Sequence, residues 1–249
     1  MQNSTKYILL GLVAVALAGC SSNYTWGWYV IWPSTDTGWT NLKFLLGGIW
    51  MTLALSALAM VLSIVIGLLV ALPGLSKVRA GRIFNRVYVE IFRSVPMLVM
   101  VLWVYYGLPV VTGIEFGVFA AGVIALALCD SAFEAEIFRG GIQSIEKGQL
   151  EAADALGLGY IDTMRFVILP QAIRRVLPPL GNQFVYMLKM SSLVSVIGLM
   201  ELTRRANELT VTEYRPLEIY TVLVVEYLLL ILVVSHFVRR LERKMQIGT

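Results

Sequence analysis

The run from Leu45 to Leu72 carries no charged residue. A hydrocarbon core needs about 20 apolar residues in a helix, so this stretch is long enough to cross a bilayer with some tilt. Lipid offers no partner to an exposed N–H or C=O, which leaves helices or a closed barrel as the ways across. Continuous apolar runs without strict alternation predict helices. The whole chain agrees: 249 residues are 58% hydrophobic and 14% charged, against about a quarter charged in soluble domains. The mean hydropathy is +0.76. This is an all-α integral membrane protein in one domain.

Four more spans follow by the same reading: roughly 94–111, 116–138, 180–199 and 219–237. Pro73-Gly74 is expected to end the first. Pro96 opens the second and Pro109 lies near its end. Fourteen of the 20 basic residues fall in three places: a loop with Lys77, Arg79, Arg82, Arg86 and Arg93, a segment with Arg139, Lys147, Arg165, Arg174 and Arg175, and a tail with Arg239, Arg240, Arg243 and Lys244. Basic loops stay cytoplasmic. Five spans then put the segment before Leu45 outside, with the connector 201–218, whose arginines are balanced by glutamates. Trp26, Trp28, Trp32 and Trp39 in that outer segment suit an interfacial belt. The positive charge flanks spans and forms no face apart from them, so a nucleic-acid partner is not expected.

Residues 1–19 have signal-peptide proportions, with one Lys, a short apolar core and small residues. Leu17-Ala18-Gly19-Cys20 resembles a lipoprotein lipobox, which implies cleavage before Cys20 and lipidation of its sulfur; the alternative is an uncleaved marginal helix. Residues 20–44 read as a periplasmic or interfacial segment and 45–244 as the transmembrane domain. Cys129, inside an apolar run, reads as a small packed hydrophobe. Ala59, Ser63, Gly67 and Ala71 share one helical face, and small residues let helix backbones approach closely. That face either packs within the subunit or forms a seam with another.

The stretch 151–172, "EAADALGLGYIDTMRFVILPQA", is mildly polar and helix-prone between greasy neighbours. Glu151-Ala152-Ala153 starts a helix, with its acid complementing the helix dipole. Gly157 and Gly159 break it, and Met164, Val167 and Ile168 can share an apolar face in a second short helix, with Pro170 and Pro178-Pro179 closing the region. Two short helices with a glycine bend suit insertion into a partner's groove.

This pattern resembles the EAA loop of bacterial ABC importer permeases: E-A-A, three residues, Gly, nine residues, an aliphatic residue, one residue, Leu-Pro. Here these are Glu151-Ala152-Ala153, Gly157, Val167 and Leu169-Pro170, with Val where Ile is commoner. The stretches "FRSVPMLVMVLWVYYGLP", "DSAFEAEIFRGGIQSIEKGQLEAADALGL" and "LKMSSLVSVIGLMELTRRA" resemble the polar amino-acid subgroup, although Met190 stands where that subgroup more often has Asn or Asp. The resemblance covers roughly 42–243. It implies a five-span type I ABC importer permease core and a coupling loop (140–179) that docks on a cytoplasmic ATPase dimer. It further implies a second permease, identical or related, and a periplasmic binding protein that delivers an amino acid. ATP and magnesium would be bound by the partner ATPase. The chain itself has no G-x-x-x-x-G-K-[ST] loop, no Cys/His cluster and no G-x-S-x-G elbow, so it reads as a non-enzymatic subunit.

Ionisable residues within spans are candidates for function. Asp130 and Glu134 lie one helical turn apart on one face, and Glu136 lies about 200° around from Glu134. Lys189 sits near the middle of the fourth span, where a carboxylate partner, Asp130 or Glu134, would offset its cost. One reading is a substrate path in which Asp130 or Glu134 faces an ammonium, and Lys189 or the Ser191 and Ser192 hydroxyls face a carboxylate. The other is a structural ion pair. Glu226 is expected to bond another helix, and His236, the lone histidine, to pack at a membrane edge. Two other readings compete: a stand-alone secondary transporter or channel, and a lipid-anchored scaffold without transport.

Overall fold

The computed structural model describes residues 24–245, so the signal-like segment and Cys20 lie outside the described residues. The described residues form nine principal helices: α1 (Asp36–Leu46), α2 (Gly48–Leu75), α3 (Arg79–Ser94), α4 (Met97–Thr112), α5 (Val118–Gln143), α6 (Lys147–Ala155), α7 (Leu169–Met190), α8 (Leu202–Glu213) and α9 (Pro216–Met245). Three pieces are long and apolar enough to cross a membrane unaided: Asp36–Leu75, Val118–Gln143 and Pro216–Lys244. Two bent pairs raise the number to five if each counts as one span.

The first bent pair is α3 with α4, which meet at 96°. Proline causes the bend. Pro96 has no N–H for an intrahelical bond, and its ring pushes Val95 out of the helical region, to φ −82° and ψ 125°. The basic segment after Pro73 is therefore a helix for most of its length and not the loop expected from its charge. In the second pair, Tyr160–Ile197 and α8 meet at 47°, after a left-handed Gly198 at φ 96°.

Residues 160–190 depart from expectation in another way. Neither Pro170 nor Pro178-Pro179 ends the helix, which runs on to Met190. A wide π turn, Thr163–Ile168, leads directly into Leu169 and Pro170. Pro170 falls in the first turn of α7, where a missing N–H costs little. Pro178 and Pro179 are carried inside the helix.

Helix α5 is central, buried against α2, α3, α4 and α7. Leu55 and Ala59 of α2, Val101 of α4, Leu126 and Cys129 of α5 and Met187 of α7 meet in the main core. Ala59, Ser63, Gly67 and Ala71 are all buried inside the subunit; Gly67 touches Glu134 and the α5 backbone. Of the two uses considered for that small-residue face, the structure has packing within one chain.

The segment before α1 folds onto the connector, so the two lie at one end of the bundle, as the topology required. Val30, Ile31 and Leu45 pack with Ala206, Leu209 and Ile219. Asn41 donates to Val30 O and to Glu213 Oε1, both at 2.9 Å. Buried Glu218 accepts from the Tyr24 hydroxyl and the Gly27 N–H, both at 2.5 Å, and Arg215 donates to Thr25 O at 2.7 Å. As acceptor, the Glu218 carboxylate holds the Tyr24 phenol above its ordinary pKa. Trp26, Trp28, Trp32 and Trp39 stay exposed. Replacing Glu218 with Ala removes both acceptor oxygens. Limited proteolysis around Trp26–Trp28 of the membrane-embedded chain is expected to accelerate about tenfold; an unchanged rate would show that the apolar contacts alone hold this segment.

Candidate functional site

At the opposite end, α6 and the turn after it form a braced hairpin. Helix α6 closes with three backbone bonds: Leu156 N–H to Ala152 O at 3.1 Å, Gly157 N–H to Asp154 O at 2.9 Å and Leu158 N–H to Ala153 O at 3.1 Å. This closure puts Gly157 at φ 73°, a conformation that favours glycine. Ile145, Ile168 and Ala172 are buried together, with Met164 and Val167 packed against them. The apolar face foreseen for Met164, Val167 and Ile168 is thus the side that docks on the bundle. Gln171 donates to Gln149 Oε1 at 3.0 Å and to Val167 O at 2.9 Å. Arg175 donates to Ser144 O.

Of the motif residues, Ala153 is buried, whereas Glu151, Ala152, Gly157, Leu169 and Pro170 are exposed. The apolar tip was not foreseen: Leu156, Tyr160 and Ile161 are 80%, 79% and 77% exposed. Large apolar side chains held out by a rigid turn mark an interaction surface.

The embedded charges form a second cluster. Asp130 and Glu134 on α5 are fully buried. Ser63 of α2 donates to Asp130 Oδ2 at 2.8 Å, and Gln183 of α7 donates to Oδ1 at 2.5 Å. Asp130 therefore ties three helices together. Glu134 lies against Gly67, one turn further along both helices, and neither of its oxygens has a hydrogen-bond partner. Glu136 is turned away and accepts two bonds from the Arg139 guanidinium, at 3.0 and 2.7 Å.

Lys189 corrects an expectation. It forms no ion pair with Asp130 or Glu134 and is exposed on α7. The reason is angular. Gln183 and Lys189 are six residues apart on a helix, about 120° from one another, so the face that meets Asp130 turns Lys189 away. Asn182, Tyr186 and Lys189, at spacings of four and three, share an exposed face instead. Ser191 is buried and donates to Leu188 O at 2.8 Å; Ser192 is half-buried and donates to Lys189 O at 2.7 Å. Glu226 is buried on α9 with both oxygens unpartnered, so the bond expected of it is not formed.

The role of Gln183 was missed. An amide six residues before Lys189, in an otherwise apolar span, was the available signal. Ser63 was seen only as small, although its hydroxyl is a donor opposite Asp130.

Comparison with known proteins places the chain in a family. The model of the family described as "Binding-protein-dependent transport system inner membrane component" matches residues 63–247. The Escherichia coli K12 glutamine transport system permease protein GlnP is 41% identical over 224 residues, covering 88% of this chain and 98% of that one. A putative GlnP of Rickettsia prowazekii is 36% identical, covering 82% and 94%. Among solved structures, an amino acid ABC transporter crystallised with histidines matches with a TM-score of 0.77 at 40% identity, covering 82% of this chain and 95% of that one. An inward-facing MetNI methionine ABC transporter shares the fold, with a TM-score of 0.70 at 22% identity. The chain belongs to the family of binding-protein-dependent transport system inner membrane components, the non-catalytic, multi-pass permease subunits of ATP-driven importers.

Proposed function

We propose that this permease crosses the inner membrane five times, pairs with a second permease and imports a polar amino acid of the glutamine type. The substrate class rests on the E. coli relative, whose name is that of a glutamine transport permease, and on the amino acid transporter of matching fold. ATP and magnesium stay on the partner ATPase dimer, and a periplasmic binding protein delivers the solute above the α8 connector.

One observation carries the mechanism. The α6 hairpin is rigidly braced to α5 and α7 yet holds Leu156, Tyr160 and Ile161 out. A floppy loop would dissipate a partner's movement. A hairpin fastened by Gln149–Gln171 and the Ile145–Ile168–Ala172 cluster passes it to both adjoining helices. Glu151, Ala152, Ala153, Gly157, Leu169 and Pro170 shape this dock. Stoichiometric recovery of an ATPase with the tagged full-length permease is the expected result. Transport by the purified permease alone would favour the stand-alone transporter.

For the substrate path, the exposed α7 face is the better placed group. Asp130, Glu134 and Ser191 are enclosed, so we assign them to holding helices. Lys189, with Ser192 nearby, is free to meet a carboxylate. Lys189→Gln is expected to raise the apparent KM for uptake about tenfold, the loss of one charge-assisted contact, with ATPase recovery unchanged. An unaltered KM would remove Lys189 from the path.

A further inference from the structure

Helix α3 has three faces, and the docking and transport roles proposed above use none of them. At about 100° per residue, Arg79, Arg82, Arg86 and Arg93 fall within a stripe about 60° wide. Asn85 and Val89 lie on the side of the stripe towards the bundle: both are buried, and Asn85 donates to Val70 O of α2 at 3.0 Å. Ile83, Phe84, Val87 and Ile91 make up the remaining face and are each about half exposed, at 52%, 53%, 47% and 53%.

All four arginines are exposed, and none forms an ion pair among the described residues. Glu90 is the only acid on the helix. Glu136 of α5, which faces Arg93 across a groove that both line, accepts two bonds from Arg139. Two adjoining grooves share Arg82 and Arg86: one, roughly 410 Å³, also has Glu90 and Glu136 in its lining, whereas the other, roughly 420 Å³ and lined by Arg79, Arg82, Ile83 and Arg86, holds no acid. An apolar groove meets the second of these at Ile83 and continues along Phe84, Val87 and Ile91. The 96° bend at Pro96 lays α3 across the axis of α4, at the bundle end that carries the hairpin. A basic edge beside an apolar face, on a helix lying across a span, is the arrangement of an interfacial helix.

We propose that α3 is a binding site for an anionic phospholipid of the cytoplasmic leaflet. Arg79, Arg82 and Arg86 take the phosphate, and the acyl chains lie along Ile83, Phe84, Val87 and Ile91. The acid-free groove of Arg79, Arg82 and Arg86 selects an anion, and the apolar groove that shares Ile83 with it selects one that carries hydrocarbon. The site needs α3 at the cytoplasmic surface but does not depend on the identity of the solute.

The test uses the full-length chain, delipidated in detergent and titrated with phosphatidylglycerol or with phosphatidylcholine of the same acyl chains, bound lipid being counted by native mass spectrometry. Phosphatidylglycerol is expected to bind at least about tenfold more tightly, since each interfacial arginine is worth about fivefold, and the preference should fall with salt. Arg79→Gln/Arg82→Gln/Arg86→Gln should abolish the preference. The corresponding lysine substitutions should retain it, which separates lost charge from lost folding. Equal binding of the two lipids by the unmodified chain would overturn the proposal. Soluble glycerol phosphate competing as well as the lipid would do the same, because it would make the site one for free phosphate. Loss of ATPase recovery with lipid preference intact in the glutamine variant would also overturn it, identifying a protein dock.

Discussion

Replacing Gly157 with proline is expected to lower ATPase recovery with the tagged permease by at least about tenfold, and uptake with it, while the chain still accumulates in the membrane. Proline fixes φ near −65°, whereas Gly157 stands at φ 73° and its N–H donates to Asp154 O at 2.9 Å. Both the conformation and the donor are lost, so the turn cannot close and Leu156 no longer stands beside Tyr160 and Ile161. Alanine is the informative control. Nothing lies within 4 Å of a Cβ at this position, so Gly157→Ala meets only the left-handed backbone penalty of about 1–2 kcal/mol. It keeps the N–H and should therefore show an intermediate recovery. The hairpin lies outside the main core of Leu55, Leu126 and Met187, so the melting temperature of the bundle should barely move. Full ATPase recovery by the proline variant would mean that docking occurs elsewhere on the chain.

Periodicity and spacing made much of this architecture readable. Long apolar runs located the spanning helices, because lipid leaves only helices or a closed barrel to satisfy the backbone. The balance of basic residues placed the α8 connector with the N-terminal segment, and their contacts through Asn41, Arg215 and Glu218 agree. The glycine turn was legible for a similar local reason: a positive φ admits few residues other than glycine. Less legible was anything that depends on how one helix rotates against another. Asp130 and Lys189 looked like natural partners because each is costly alone in an apolar span. Their pairing depends on the roll of α7, which turns Gln183 inward and Lys189 outward. Proline also misled. It ended α3 at Pro96 but was absorbed in α7, where the π turn at Thr163–Ile168 and a first-turn position accommodate Pro170. The same residue type has two outcomes because the cost depends on which carbonyls are already freed.

Replacing Gly67 with valine is expected to have the largest effect on the bundle itself, with accumulation of the full-length chain in membranes falling at least about tenfold. Helices α2 and α5 make the most extensive contact in the fold, and Gly67 sits where they approach closely. A Cβ there would lie 2.5 Å from Glu134 Cβ, 3.0 Å from Ser131 O and 3.1 Å from Ala135 N. Two of those atoms are backbone and cannot move aside, so the helices must part. Overpacking of this kind typically costs about 1–3 kcal/mol. Separation also stretches the 2.8 Å bond from Ser63 to Asp130, one turn away. A buried carboxylate that loses a donor costs about 1–3 kcal/mol more. Together these come to about 2–6 kcal/mol, a large share of the roughly 5–15 kcal/mol that typically holds a domain folded. Gly140→Val separates this cause from a general intolerance of valine: the position has nothing within 4 Å of a Cβ and should leave accumulation unchanged. Ser63→Ala should fall between the two, since it removes the donor without forcing the helices apart. If Gly67→Val accumulated and melted like the unmodified chain, α2 and α5 could not be in contact at Gly67, and Asp130 would need a donor other than Ser63.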